Sequence, residues 1–324
     1  MKPSMLTVAV CCSLMLPASG WAQRSGPAGN LPLPPETLQR RLQDDAFQIT
    51  ANKAAGGGVM GAHKLTLSFP DDGFTTDVKW KVAPHAGDGW NNSPRREIGA
   101  YVVQQLFLDP DDYVVPPIAV RCIPVDAYRA VDAHQKPNLD GTACVYGTMS
   151  AWLRNVRPAD PPLDPDRFSH DARYAYHVGH LNLLTYLIKH KDAKPGNMLI
   201  STDPANPQVF SVDNGIAFGH VLFNFFALHL NRLVIGGVPK QSLERLRRVT
   251  RADLDRLGVL GELRVDTNGM LRSVPPSANV GPSAGERTLP DGIQFGLTTE
   301  EIDEIEERLR QLRVRVGEGE LATF

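Results

Sequence analysis

Alternating hydrophobic and polar residues predict that the first half of the chain is rich in β-strands. Five segments show strand-like patterns of this kind. They cover residues 46–50, 64–69, 76–82, 118–125 and 143–149. The turn 70–73, Pro-Asp-Asp-Gly, is typical of a hairpin between the second and third strands. Ser93 and Pro94 suit the first positions of a helix, so the predicted order is three strands, a helix and two strands.

Apolar positions at helical spacing predict a mostly helical second half. The predicted helices cover residues 174–188, 221–235, 242–257 and 298–312. Thr298 and Glu301 form a capping box, which marks the start of the last helix. Residues 273–296, by contrast, are rich in proline, glycine and serine, and they are predicted to form a mobile loop.

The first 22 residues are typical of a secretory signal peptide. Lys2 is their only charged residue, an apolar run covers 5–16, and small residues stand at Gly20 and Ala22. A short membrane anchor is the less favoured alternative, because the run is shorter than the roughly 20 apolar residues that span a bilayer. Cleavage after Ala22 predicts a periplasmic or secreted chain without a transmembrane segment. Residues 23–45 begin with glycines and prolines and are predicted to be a linker.

Composition bears on the compartment and on one class of partner. Hydrophobic residues make up 42% of the chain and the formal net charge is −2, with no long run of Lys or Arg. A nucleic-acid partner is therefore not expected. After cleavage only Cys122 and Cys144 remain, on neighbouring predicted strands. An oxidising compartment favours one disulfide between them, and two buried free thiols are the alternative.

Two motifs in the second half carry groups suited to phosphoryl transfer. The first, residues 190–197, reads His-Lys-Asp-Ala-Lys-Pro-Gly-Asn. Its Asp192 can act as a base on an attacking hydroxyl, Lys194 supplies a cation, and Asn197 supplies a metal-ligating oxygen. The second motif begins at Asp213, beyond two strand-like segments that predict a hairpin. Such a hairpin would return Asp213 to Asn197, where their oxygens could share Mg²⁺ or Mn²⁺.

Residues upstream of these motifs suit the phosphates of a nucleotide. A glycine cluster between the first two predicted strands would let backbone N–H groups approach phosphates. The glycines expected to do so are Gly57, Gly58 and Gly61. Lys81 on the third predicted strand and Glu97 on the following helix have the order and spacing of a phosphate-holding lysine–glutamate pair. Lys79 points to the same face of the strand and remains the alternative partner.

Three segments together resemble the atypical branch of the protein-kinase-like superfamily. They are residues 96–101, 192–197 and 212–219. The branch includes the phosphoinositide kinases, the HipA-type kinases and the secretory-pathway kinases, in which an Asp-Asn-Gly-like loop can replace Asp-Phe-Gly. The resemblance covers roughly residues 46–235. No Ala-Pro-Glu segment follows Asp213, so the usual activation segment and its peptide platform are not expected.

The resemblance implies an α+β fold of two lobes with ATP bound in the cleft between them. A β-rich amino-terminal lobe would cover 46–150, and a mostly helical carboxy-terminal lobe would cover 151–324. The implied roles are a catalytic base at Asp192, metal ligands at Asn197 and Asp213, and a phosphate-positioning pair at Lys81 and Glu97.

The expected function is that of an exported phosphotransferase. It would use ATP and a divalent metal ion to phosphorylate a protein hydroxyl or a small molecule. Two alternatives remain: a catalytically silent kinase-like binding or scaffold module, and nucleotidyl transfer on the same fold.

Overall fold

The computed structural model describes residues 29–56, 61–85, 89, 92–159, 163–219 and 237–324. The first part of the chain contains α1 (Pro35–Asp44), β1 (Gln48–Ala54), β2 (His63–Ser68), β3 (Thr75–Val82), α2 (Pro94–Gln104), β4 (Ile118–Pro124), α3 (Val125–Tyr128) and β5 (Cys144–Ala151). The central part contains β6 (Val156–Pro158), α4 (Pro165–His170), α5 (Ala172–Leu187), β7 (Met198–Ser201), β8 (Val209–Ser211) and β9 (Gly237–Val238). The last part contains α6 (Lys240–Leu246), α7 (Arg251–Asp255), β10 (Gly261–Val265), β11 (Leu271–Val274), β12 (Glu286–Leu289), β13 (Gly292–Phe295), α8 (Thr299–Gly317) and β14 (Ala322–Thr323).

A five-stranded antiparallel sheet forms the first part, in the order β1-β2-β3-β5-β4. All five predicted strands and the predicted helix between them are present. On β3, Val78 and Trp80 are fully buried in the core behind the sheet. Because side chains alternate along a strand, Lys79 and Lys81 leave the opposite face, where they line a cleft.

Helix α1 corrects the linker predicted over residues 23–45. It packs along β4, with Leu38 and Leu42 fully buried. The Gln39 side chain adds two hydrogen bonds: it donates to the Ile118 carbonyl and accepts from the Ile118 N–H, both at 2.7 Å. The linker prediction is wrong for 35–44, because the leucines four residues apart form a helical apolar stripe that burial against the sheet stabilises.

A second sheet corrects the mobile loop predicted over residues 273–296. Four antiparallel strands pair in the order β11-β10-β13-β12. The connection between β11 and β12 is held by Glu262, which is buried and accepts hydrogen bonds from the N–H and hydroxyl of Ser277 and from the amide of Gln294. The mobile-loop prediction is wrong here because its turn-forming residues connect short paired strands.

Two of the four helices predicted for the second half are found, and a third is divided. The capping box of Thr298 and Glu301 starts α8, as predicted. The single helix predicted over 242–257 is two helices, α6 and α7, because Thr250 and Asp253 form another capping box that begins a new helix. The helix predicted over 221–235 lies outside the described residues. Within the described ranges, no helix is both long enough and apolar enough to cross a membrane.

One apolar core joins α2 to the helices that follow it. Its buried members include Ala100 and Val103 of α2, Leu183, Leu184 and Leu187 of α5, and Ile302, Ile305 and Leu309 of α8. Helix α2 therefore lies between the first sheet and the carboxy-terminal elements.

Strands β4 and β5 carry a disulfide between Cys122 and Cys144, with the two Cα atoms 5.5 Å apart. This confirms the disulfide expected for an oxidising compartment. The Sγ of Cys122 also accepts a hydrogen bond from the N–H of Leu271 at 3.1 Å. The cross-link therefore contacts the second sheet as well as the first.

Candidate active site

A cleft of about 610 Å³ lies between the five-stranded sheet and the β7–β8 hairpin. Six of the predicted site residues line it: Lys81, Glu97, Asp192, Lys194, Asn197 and Asp213. Gly57 and Gly58 lie outside the described residues. Gly61 is described and has a φ of 67°, a conformation that favours glycine, but it does not line the cleft. Gly56, at the start of the same glycine cluster, does line it.

The loop that carries Asp192 follows α5 and is held by local hydrogen bonds. The side-chain amide nitrogen of Asn197 donates to the Asp192 backbone carbonyl at 2.9 Å and to its carboxylate at 2.8 Å. The Nζ of Lys194 lies 3.2 Å from the same carboxylate. Since the nitrogen of the Asn197 amide faces Asp192, its oxygen points elsewhere and is suited to bind a cation.

The hairpin of β7 and β8 brings Asp213 back to this loop, as the sequence predicted. Met198 pairs with Ser211, and the Val212 N–H donates to the Asn197 carbonyl at 2.9 Å. Asp213 itself has a φ of 61°, which is uncommon for a residue other than glycine and is often found at functional sites.

Two lysines from β3 converge on Asp213. The Lys81 Nζ lies 2.8 Å from Oδ1 of Asp213, and Lys79 contacts the same oxygen. Burial would raise the pKa of Asp213, but the charges of Lys81 and Lys79 outweigh it and hold that pKa far below its usual range. Asp213 is therefore an anion that faces two cations.

A buried ion pair joins Lys81 to Glu97. Burial alone would lower the pKa of Lys81, but Glu97 and Asp213 raise it above its ordinary value. The other carboxylate oxygen of Glu97 accepts from the N–H of Asn214 at 3.1 Å. Lys81, rather than Lys79, is thus the lysine next to Glu97, and Glu97 also holds the loop that carries Asp213.

Sequence reasoning missed the segment that closes the back of the cleft. Residues 151–153 lead out of β5 and line the cleft, together with apolar side chains such as Ile118 and Leu199. Asn30 stabilises this segment, since it accepts from the N–H of Arg154 and donates to the Arg154 carbonyl, both at 2.9 Å. No local motif marks these residues, because their role depends on contacts between distant parts of the chain.

The β-rich first part, the helices beyond the cleft and the position of the site define a two-lobed kinase-like α+β fold. A solved structure titled "Crystal structure of the golgi casein kinase" is similar to this chain, with a TM-score of 0.50 and 12% sequence identity. The match covers 88% of this chain and 74% of that chain. No protein-family model matches the chain, and no curated protein matches it. The structural likeness confirms the predicted fold, and the activity has to be inferred from the site.

Proposed function

We propose that this protein is an exported kinase-like phosphotransferase that transfers the terminal phosphoryl group of ATP to a protein hydroxyl or a small molecule. One observation carries the proposal: the Lys81–Glu97 pair and the group of Asp192, Asn197 and Asp213 face one cleft. Export is supported by the signal-peptide pattern of residues 1–22, which lie outside the described residues.

The shape and charge of the cleft suit a nucleotide. Its volume lies within the range of roughly 300–1,000 Å³ that is usual for small-molecule sites. Apolar side chains, among them Ile118, Leu153 and Leu199, line it and suit a flat base. Lys79 and Lys81 stand beside Asp213 and would bind the phosphates. In this proposal Lys79 is a second phosphate ligand in addition to Lys81.

The residues beside Lys81 fit a divalent cation. Asp213 supplies a carboxylate and Asn197 an amide oxygen, which are the hard oxygen donors that Mg²⁺ and Mn²⁺ prefer. Among the described residues, no group of three or more His, Cys, Asp or Glu could hold a metal ion. Phosphate oxygens and water would therefore complete the coordination, as is usual for nucleotide-bound Mg²⁺. When bound, the ion would neutralise charge on the phosphates.

The remaining residues can carry out the transfer. Asp192 would take the proton of the acceptor hydroxyl while the hydroxyl oxygen forms a bond to the γ-phosphorus. The bond from that phosphorus to the bridging oxygen breaks, and ADP leaves with the electron pair. Lys194, 3.2 Å from Asp192 and partly exposed at the cleft, would offset the negative charge of the transferring group.

Intact-mass analysis of the chain from Gln23, incubated with ATP and Mg²⁺ or Mn²⁺, tests this proposal. We expect a phosphoryl adduct on the protein, or on casein or a small alcohol added as acceptor, with ADP as the second product. Asp192→Asn and Asp213→Asn should abolish transfer. Asp140→Asn is the matched control, because that side chain is 96% exposed and lies outside the cleft.

Other products would select the alternatives. An AMP adduct would indicate nucleotidyl transfer, and stabilisation by ATP and metal without any product would indicate a silent binding module. Undiminished phosphotransfer in Asp213→Asn would contradict the assignment of the site.

A further inference from the structure

The carboxy-terminal module, defined here as residues 261–317 and comprising β10–β13 and α8, packs against the helix that carries Glu97. One polar contact between them is a buried ion pair between Arg95 of α2 and Glu301 of α8, with Nη1 and Oε2 2.6 Å apart. The two residues are 3% and 8% exposed. They are separated by 206 positions in the sequence, so only the tertiary structure brings them together.

The surroundings of Arg95 leave it little freedom. The same Glu301 oxygen that faces Arg95 also accepts the Thr298 N–H at 2.9 Å, as part of the capping box. On another side, the backbone of Gly285 lies so close that a Cβ there would overlap the guanidinium group. Arg95 is therefore enclosed by the start of α8 and by the loop before β12.

Helix α8 also holds the segment that leads to Asp192. Lys189, which has a φ of 49° and directly precedes His190, pairs with Glu304 at 2.7 Å. Arg308 donates to the carbonyl of Tyr186 near the end of α5 at 2.7 Å. One helix of the carboxy-terminal module thus contacts both the helix that carries Glu97 and the segment just before the loop that carries Asp192.

Arg95 and Glu97 leave opposite sides of α2. Residues two apart on an α-helix point about 200° away from each other. Arg95 therefore faces the carboxy-terminal module while Glu97 faces Lys81. A rotation of α2 that withdraws Glu97 from Lys81 would also carry Arg95 away from Glu301, so the buried ion pair opposes such a rotation.

We propose that Arg95 and Glu301 are positioning residues through which the carboxy-terminal module keeps Glu97 against Lys81 without a further partner. In kinases, an activation segment or a bound regulator can order the helix that carries the paired glutamate. In this protein the carboxy-terminal module would order α2 instead. The inference rests on the proposed function where it is tested by kcat. The other measurement, amide hydrogen exchange in α2, needs no activity.

The first variant is Glu301→Gln, with Glu300→Gln as the matched control. Glutamine at position 301 can still accept the Thr298 N–H, because the capping box tolerates Gln as well as Glu. Glu300 stands on the same turn, is exposed and loses the same charge near the helix amino terminus. We expect Glu301→Gln to speed amide hydrogen exchange in α2 and to lower kcat by about ten- to a hundredfold. We expect neither effect from Glu300→Gln.

The double variant Arg95→Met with Glu301→Gln separates positioning from mere stability. Removing both charges leaves no lone buried charge, so its Tm should recover relative to Glu301→Gln. A positioning role predicts that kcat stays low and α2 exchange stays fast despite the recovered Tm. Recovery of wild-type kcat or of slow α2 exchange in the double variant would overturn the proposal.

The two measurements distinguish failure of the proposed function from failure of the positioning proposal. If the wild-type chain transfers no phosphoryl group, the proposed function fails, and amide exchange of α2 still decides the positioning proposal. Equal α2 exchange in wild type and Glu301→Gln would overturn it whatever the activity.

Discussion

Replacement of Lys81 by methionine is the most direct test of the site. Lys81 and Glu97 are both buried, and Lys81 also contacts Asp213 at 2.8 Å. Methionine fills much of the same space but leaves Glu97 as a buried anion that faces a thioether. Removal of one partner from a buried ion pair costs about 3–5 kcal/mol.

The expected loss in the free energy of unfolding lies toward the lower end of that range. Glu97 keeps its hydrogen bond from the Asn214 N–H, and Asp213 keeps its contact with Lys79. The entropy of unfolding is about 2.1 cal/mol/K per residue, or about 0.6 kcal/mol/K for a chain of about 300 residues. A loss of about 3 kcal/mol should therefore lower Tm by about 5 °C. The assay is thermal unfolding followed by circular dichroism without nucleotide, with phosphotransfer measured in parallel.

Two companion variants make the result interpretable. Lys79→Met should cost only about 1 kcal/mol, because that side chain is 23% exposed and pairs with Asp213 alone, whereas Lys81 is 9% exposed and pairs with two carboxylates. Adding Glu97→Gln to Lys81→Met removes the lone charge and should restore part of the lost Tm. An unchanged Tm in Lys81→Met would refute the buried pair, and a larger loss in Lys79→Met would make Lys79 the partner of Glu97.

Two further predictions concern the disulfide and the buried histidines. Replacing Cys122 and Cys144 together by serine removes a cross-link between positions 22 residues apart, so the free energy of unfolding in urea should fall by about 3 kcal/mol. Unfolding at the wild-type urea concentration would contradict this role of the disulfide. Burial lowers the pKa of His177 and His190 to about 4 and that of His180 to about 3, so the unfolded chain binds more protons than the folded chain below about pH 6.5. Stability in urea should therefore be complete at pH 7.5 and fall toward pH 4, by about 2 kcal/mol per histidine at pH 5, and His180→Leu should weaken this dependence. Equal stability at pH 7.5 and pH 5 would show that these histidines are not buried as described.

The sequence by itself determined the features that depend on local spacing. Period-two alternation predicted the strands of the first sheet, and the capping box at Thr298 predicted the start of α8. The spacing between Asp192 and Asp213, with a hairpin between them, predicted that these residues share one site. Each of these predictions needs only neighbouring residues, because helices, hairpins and caps are stabilised within a few positions of the chain.

Only the tertiary structure decided the features that depend on long-range packing. Lys79 and Lys81 leave the same face of β3, so their pattern could not show which of them lies beside Glu97. Helix α1 looked like a linker because its stability comes from burial against a sheet that forms from later residues. The pairing of Arg95 with Glu301 joins two ordinary surface-type residues, which become a buried ion pair only when α8 packs on α2. Contacts of this kind depend on the burial of whole helix and sheet faces against distant parts of the chain. A short segment of the sequence does not show which distant part will cover it.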